Sequence, residues 1–506
     1  MKLLNNIFRL VVGIIVFQIV LSSCSDKLDI PSGEVASETL QWNSISDTKS
    51  ALLGCYGLLR KALVEDNSHW MYGELRSGDF QPTSRADLIA IKEHNLKASH
   101  PLIKNLSNWR RFYSVINAAS VLIERAPEVL EADNRYTEYM MRADIAQARA
   151  IRAFTYFYMV RIWGDVPLIT KSFDDESFVE RARTNQSVVL NFAENELLST
   201  IEYLPYSYGV SPTNYYGENS SYWRKILFNK LTAYAVLAHL SAWQGKYINV
   251  DIYTKFIMEN YQSISIDYIS NISNLTSISG IFSNNYNAGQ LLSIPAPYSF
   301  GEATATGHIE QLTLAEPHTK KQRPDIYIPK DSIIKIFTDL NDQRFGIDTI
   351  SGLPRTNYFT NYSGEIPVFS KIKIVRDGVV DNSYAVFGSN LIFTRLEEIA
   401  LLRAEALAML GAKDEAMTFL NRVKANRKVP SYTSVTITPL IDEIFNERRR
   451  ELMGEGWRWY DQIRYNKIKE VDKKMKDLIV AEGIYWPIAN EIIIKNKEIT
   501  QNNFWK

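Results

Sequence analysis

Residues 143–167 read Ala143-Asp144-Ile145-Ala146-Gln147-Ala148-Arg149-Ala150-Ile151-Arg152-Ala153-Phe154-Thr155-Tyr156-Phe157-Tyr158-Met159-Val160-Arg161-Ile162-Trp163-Gly164-Asp165-Val166-Pro167. Ala146, Ala150, Ala153, Phe157 and Val160 recur at helical spacing and share one face. Alanines on that face let a second helix approach closely. Glycine and proline after Trp163 forbid continuation, so the helix stops there.

The same pattern recurs on both sides of this stretch. Asp47 can cap a helix running to about Val64, and a polar, Gly/Pro-containing region follows from Asp66 to Ser84. A helix from about Asn105 to Arg125 is ended or kinked by Ala126-Pro127. Another begins near Asn185. A further one runs from about Tyr222 to Trp243, with Leu231, Ala235, Ala238 and Ala242 on one face, and closes at Gly245. The helix from Thr394 to Leu410 ends at Gly411, and its partner carries Ala416, Leu420 and Val423. A helix ended by glycine, a short turn and an alanine-bearing second helix follow tetratricopeptide logic. Gln244-Gly245-Lys246-Tyr247 is a weaker echo of it. The units do not recur at a fixed period, so the pattern predicts hairpins separated by long insertions, not a clean solenoid.

From about residue 263 to 376 the character changes to Asn, Ser, Thr, Tyr, Gly and Pro, and only Ser370 to Val375 alternates like a strand. The predicted fold class is mainly α: tetratricopeptide-like helical hairpins supporting an irregular, loop-rich ligand-binding region with minor β. Residues 1–23 read as a signal, 24–230 as an N-terminal helical region, and 231–506 as a C-terminal region carrying the insertion, the two regions interleaved into one body.

The 506 residues carry a formal net charge of zero, with 23% charged and 46% hydrophobic residues. No basic excess exists to release counterions from a phosphate backbone, so nucleic acid is not an expected partner. Only two cysteines exist, Cys24 and Cys55, which excludes a disulfide framework. Cys55 lies in an apolar helical stretch and reads as a small buried hydrophobe. The six histidines are scattered without ligand spacing, and no phosphate-loop or hydrolase motif is present, so neither a metal nor a cofactor is expected. Asp174, Asp175 and Glu176 are adjacent carboxylates, more in keeping with a solvated turn than with an acid–base pair.

At the amino terminus, Lys2 and Arg9 precede an apolar run from Leu10 to Val20, then Leu21-Ser22-Ser23-Cys24. The run is short for a membrane span. Small residues before a cysteine resemble the lipobox of a bacterial lipoprotein, which implies acylation of Cys24 and a membrane anchor. A plain secretory signal with an incidental cysteine is the other reading. Ser25-Asp26-Lys27-Leu28-Asp29 resembles the short acidic tract that sends Bacteroidota lipoproteins to the outer face of the outer membrane.

Several longer motifs carry a wider resemblance. They are Arg152-Ala153-Phe154-Thr155-Tyr156-Phe157 with Val160 through Ile169, Glu397 through Ala406, and Glu447-Arg448-Arg449-Arg450-Glu451-Leu452 with Glu455 through Arg464. Trp486-Pro487-Ile488 through Asn502 closes the chain in the same manner. In this order they resemble the SusD/RagB family over essentially the whole chain from Cys24 to Lys506. The resemblance implies a surface lipoprotein seated on a SusC-like TonB-dependent outer-membrane transporter, capturing an oligosaccharide or, in some relatives, a peptide. Arg448, Arg450, Glu455 and Asp461 read as an ion-pair network locking two helices, not as a catalytic cluster. A surface glycosidase is the reading from a different class, because distant carboxylates can meet in the fold.

Sugar capture needs flat apolar faces beside hydrogen-bonding groups. Trp70 and Tyr72, supported by Asp79 and Arg85, are the first candidate ligand contacts. They sit after the first mature helix, a position that the resemblance favours. Tyr286 and Tyr298 of the central insertion are the second. Tyr206, Tyr208, Tyr215, Tyr216 and Trp223 form a third group, for which core packing is the expected role. For every ring the alternative to ligand contact is a place in the core.

Overall fold

The computed structural model describes Met1 and residues 42–506, apart from 174–178, 209–214, 218–222, 224–225, 284–288, 349 and 378–384. The signal, Cys24, the carboxylates Asp174 to Glu176, and Tyr286 lie outside the described residues.

The scaffold is a succession of helices: α1 (Ile45–Val64), α2 (Arg110–Ala132), α3 (Glu138–Trp163), α4 (Gln186–Thr200), α5 (Lys230–Trp243), α6 (Tyr247–Asn260), α7 (Leu396–Met409), α8 (Lys413–Asn426), α9 (Leu440–Glu451) and α10 (Arg458–Lys469). From α1 to α8 each packs on the next, α9 lies against α7, and α10 follows α9. The alanine-bearing face of α3 is buried as its spacing predicts. From Ala150 to Trp163 every residue of α3 is buried, because α1, α2 and α4 all pack against it. Each large apolar side chain placed in this core contributes roughly 1.5–3 kcal/mol. Cys55 is fully buried, and burial pushes its thiol up to about 12, which suits an inert hydrophobe.

The two tetratricopeptide-like turns close identically. Gly245 (φ +74°) and Gly411 (φ +84°) occupy the left-handed region after α5 and α7. The next N–H, of Lys246 or Ala412, donates to the carbonyl of Ser241 or Leu407. This pairing satisfies carbonyls at the helix end and leaves the chain free to turn into α6 or α8.

Four sequence expectations need correction. Asp47 is not the cap residue: Ser44 precedes α1, and the Asp47 carboxylate accepts from the Ser44 N–H at 2.8 Å. Pro127 does not end α2, which continues to Ala132. Proline removes one N–H bond there, while Ala126 and Val129 stay buried and hold the helix in place. α5 starts at Lys230 and not near Tyr222, because the Asn229 side chain accepts from the Thr232 N–H and nucleates the helix. Ser370 to Val375 is not one strand. Val368–Phe369 pairs with Phe359–Thr360, and Val375–Asp377 pairs with Val386–Phe387.

Between α6 and α7 the chain forms an irregular cap of short helices and two-stranded ladders. Its longest ladder pairs β1 (Gln290–Ile294) with β2 (Leu391–Arg395), antiparallel, and β2 runs directly into α7. The cap thus begins and ends on the helical scaffold. A buried ion network holds the seam. Arg395 bonds Glu397 (2.9 Å), Glu451 (3.0 Å) and Glu455 (3.0 Å), Arg427 bonds Glu451 (2.7 Å), and Arg344 of the cap bonds Asp342, Glu447 and Glu451. Arg448 pairs with Asp461 and Glu398, and Arg450 with Glu443 and Glu447. The cluster read as a lock between two helices therefore also ties the cap to α7 and α9.

Candidate ligand-binding site

α1 ends at Val64, and the next residues turn the chain sharply. Asp66 (φ 59°) and Asn67 (φ 54°) both adopt the left-handed conformation, which Asp and Asn tolerate better than other side chains. The kink leads into the short helix Ser68–Gly73 and leaves polar groups at the helix end. Arg111 from α2 donates to Asp66 at 2.7 Å and to the Glu65 carbonyl at 2.9 Å. Asn67 donates to Gln311 (3.1 Å) and to the His308 carbonyl (3.3 Å) of the cap. Gly307 closes the approach. It has φ +86°, and a Cβ there would lie 2.6 Å from Val64 Cγ1 and 2.7 Å from the Val64 carbonyl oxygen. Only glycine lets the cap come this near to the helix end. One turn earlier on α1, Arg60 pairs with Glu302 at 2.7 Å.

Between these contacts lies an open cavity of about 570 Å³. Arg60, Lys61, Glu65, Asp66 and Asn67 line one wall, and Thr304, Thr306, Gly307 and Gln311 the opposite one. Arg85 stands on a third side, and Val64, Met71, Leu88, Leu102 and Leu312 supply the apolar surface. A second chamber of about 330 Å³ shares Lys61, Glu65 and Asp66 and is completed by Leu58, Ala62, Asn105, Asn108, Arg110, Arg111 and Ser114. These volumes fall in the range of small-ligand sites. Arg85 is held by Asp87 (2.6 Å) and Asp325 (3.4 Å). Burial disfavours its charge, but the two carboxylates outweigh that and raise its pKa.

Of the ligand contacts read from the sequence that are among the described residues, only Arg85 lines this cleft. Trp70 and Tyr72 are corrected to core residues, 3% and 1% exposed. The Trp70 Nε1–H donates to the Gly454 carbonyl (3.1 Å), and the Tyr72 hydroxyl to that of Leu106 (2.7 Å). The Tyr72 ring meets Trp163 and Trp486 edge-on. Their segment is clamped from behind, since the Glu74 carboxylate accepts from the N–H groups of Gly454 and Gly456. Asp79 is also buried, paired with Arg449 (2.6 Å) and Arg458 (2.9 Å). Burial raises its pKa, but the two guanidiniums outweigh that and hold it below the usual range. Tyr298 is 52% exposed, with its hydroxyl 3.4 Å from Asp377, and it lies outside the cleft lining. In the third group, Tyr208, Tyr215 and Trp223 are buried, and Asp144 accepts from the hydroxyls of Tyr136, Tyr215 and Tyr216. Burial pushes Asp144 up to about 6.

Sequence reading passed over Arg60, Lys61, Asn67 and Gln311. Glu65-Asp66-Asn67 carried a usable signal: a polar turn directly after an apolar helix, with two residues suited to positive φ.

Helical hairpins lie beneath an irregular cap, with an open polar cleft where they meet. Comparison with known proteins gives that architecture its family. Residues 382–505 match the model of the SusD family. A SusD superfamily protein of Bacteroides thetaiotaomicron, known from its crystal structure, is 48% identical, with a TM-score of 0.85 over 92% of this chain and 100% of that one. The chain is also 27% identical to the SusD-like protein P38 of Formosa agariphila, over 96% of each. A laminarin binding SusD-like protein, 20% identical, shares the fold with a TM-score of 0.67 over 91% of this chain and 99% of that one. The chain belongs to the SusD family.

Proposed function

We propose that this protein is an outer-membrane lipoprotein, anchored through Cys24, that binds oligosaccharides in the cleft at the end of α1. It passes them to a SusC-like TonB-dependent transporter without cleaving them. The observation that carries this reading is the cleft itself, in a chain of the SusD family. Its amide, hydroxyl and guanidinium groups come from both scaffold and cap and are fixed by neighbours before any ligand arrives. Such fixed polar groups hydrogen-bond hydroxyls at low entropic cost. Among the described residues, no helix is long and apolar enough to cross a membrane, which accords with attachment through lipid.

A glycan array followed by calorimetric titration tests the binding role, and release of reducing sugar tests for cleavage. Saturable binding with no product supports the proposal. Product that scales with protein and vanishes on carboxylate substitution favours a glycosidase. Recovery of a TonB-dependent transporter in a mild-detergent pull-down tests the partner, and loss of outer-membrane fractionation in Cys24→Ala tests the anchor. One observation favours a peptide ligand instead: none of the described residues lining either chamber is aromatic, whereas charged side chains are plentiful. A peptide library screened beside the glycan array decides between the two.

A further inference from the structure

Resting on the binding role proposed above, we infer that the cleft takes an acidic oligosaccharide spanning both chambers, with Lys61 and Arg110 gripping its negative groups. The two chambers share the rim formed by Lys61, Glu65 and Asp66, so one extended ligand passing that rim touches both.

The charges around the cleft fall into two kinds. Arg60, Arg85 and Arg111 are each held by a carboxylate: Glu302 at 2.7 Å, Asp87 at 2.6 Å and Asp66 at 2.7 Å. Their guanidiniums are positioned, and much of their charge is spent. Lys61 and Arg110 are exposed and have no carboxylate partner among the described residues. Lys61 lines both chambers, and Arg110 lines the second. Three of the five cationic side chains in the walls are thus balanced by carboxylates, and Lys61 and Arg110 are left facing Glu65. The chain as a whole has zero net charge, so this excess is local to the cleft.

The same inference accounts for the lining's lack of rings. A neutral sugar is held largely by stacking its C–H face on an aromatic ring. A uronate or sulfate ester is held by charge-assisted hydrogen bonds, which are shorter and stronger than neutral ones, and arginine can meet its oxygens two at a time. Asn105, Asn108, Thr304 and Thr306 remain for the hydroxyls. Because Lys61 and Arg110 stand in water, their attraction is screened by salt.

The test uses the full-length protein in detergent. It is titrated with neutral, uronate-bearing and sulfated oligosaccharides of matched lengths, and with acidic peptides. The best ligand is expected to be an acidic oligosaccharide longer than a disaccharide. Its affinity should fall about fivefold or more between about 0.05 and 0.5 M salt. Lys61→Ala and Arg110→Ala should each weaken it by about fivefold or more at unchanged melting temperature. The uronate and sulfate arms show which group supplies the charge. A neutral oligosaccharide as best ligand, or unaltered affinity in both variants, overturns this inference and leaves the binding role standing. Preference for the acidic peptide overturns it in favour of peptide capture. Binding of nothing in the panel overturns both.

Discussion

At the seam between cap and scaffold, Arg344, Arg395 and Arg427 are fully buried, and carboxylates that are themselves buried face them. At the end of α1, Arg60, Arg85 and Arg111 also pair with carboxylates, but water reaches every pair. The chemistry of the two regions is alike and their consequences are opposite. A buried charge must keep its partner, because losing it leaves an ion in a medium that cannot solvate it. An exposed charge can exchange a protein partner for a ligand at little cost, because water and ligand compete on similar terms. The seam is therefore suited to holding a shape, and the cleft to meeting something that comes and goes.

The strongest way to break this comparison is Arg395→Met. The change takes one partner from each of the buried carboxylates Glu397, Glu451 and Glu455, and should cost about 3–5 kcal/mol in urea unfolding. A loss below about 1 kcal/mol would show that the network is not holding the seam. Trp70→Ala probes the same buried side of the cleft-bearing segment. It should cost about 3–5 kcal/mol and lower the melting temperature, as a core ring does. Weakened ligand binding at unchanged stability would instead return Trp70 to the surface.

Acid separates the two regions without mutation. Burial alone would raise the carboxyls of Glu398 and Glu447, but His239 and Arg448 around the first, and Arg344 and Arg450 around the second, hold both at about 2. In the unfolded chain these groups titrate near 4.5. Their contribution is thus fully present above about pH 4.5 and is lost as pH falls toward 2. Thermal melting across that window should show a steep decline that added salt changes little, since buried pairs are weakly screened. A flat profile would sink the claim.

Gly307→Ala tests the contact that shapes the cleft. The added methyl meets Val64 at 2.6–2.7 Å in a positive-φ conformation, so a loss of about 1–3 kcal/mol is expected, with the cleft wall displaced and ligand affinity reduced. The smallest effect belongs to Tyr298→Ala. Half-exposed and outside the cleft, the ring should be removable within about 0.5 kcal/mol. A larger loss would mean that its contact with Asp377 anchors the cap.

The helices were legible because helical periodicity is a local property: Ala146, Ala150, Ala153, Phe157 and Val160 declare a buried face within five turns. The glycine-closed turns at Gly245 and Gly411 were legible for the same reason. Arg448 and Asp461 could be read as a structural pair, since they are close in sequence and on consecutive helices. The candidate site was legible only as a neighbourhood. The segment after α1 and the central insertion do meet, but Trp70, Tyr72 and Tyr298, the described rings that drew attention there, do not line the cleft.

Local patterns a few residues long were enough to specify a helical-hairpin scaffold, an irregular insertion and a family resemblance. Which side chains are available depends on long-range packing. Trp70 is hidden by a carbonyl 384 positions away, and Asp79 is paired with an arginine 370 positions away. Exposure is set by such distant partners, whose approach follows from packing and not from local spacing. Lys61 and Arg110 stand open for the same reason: no distant carboxylate among the described residues packs against them.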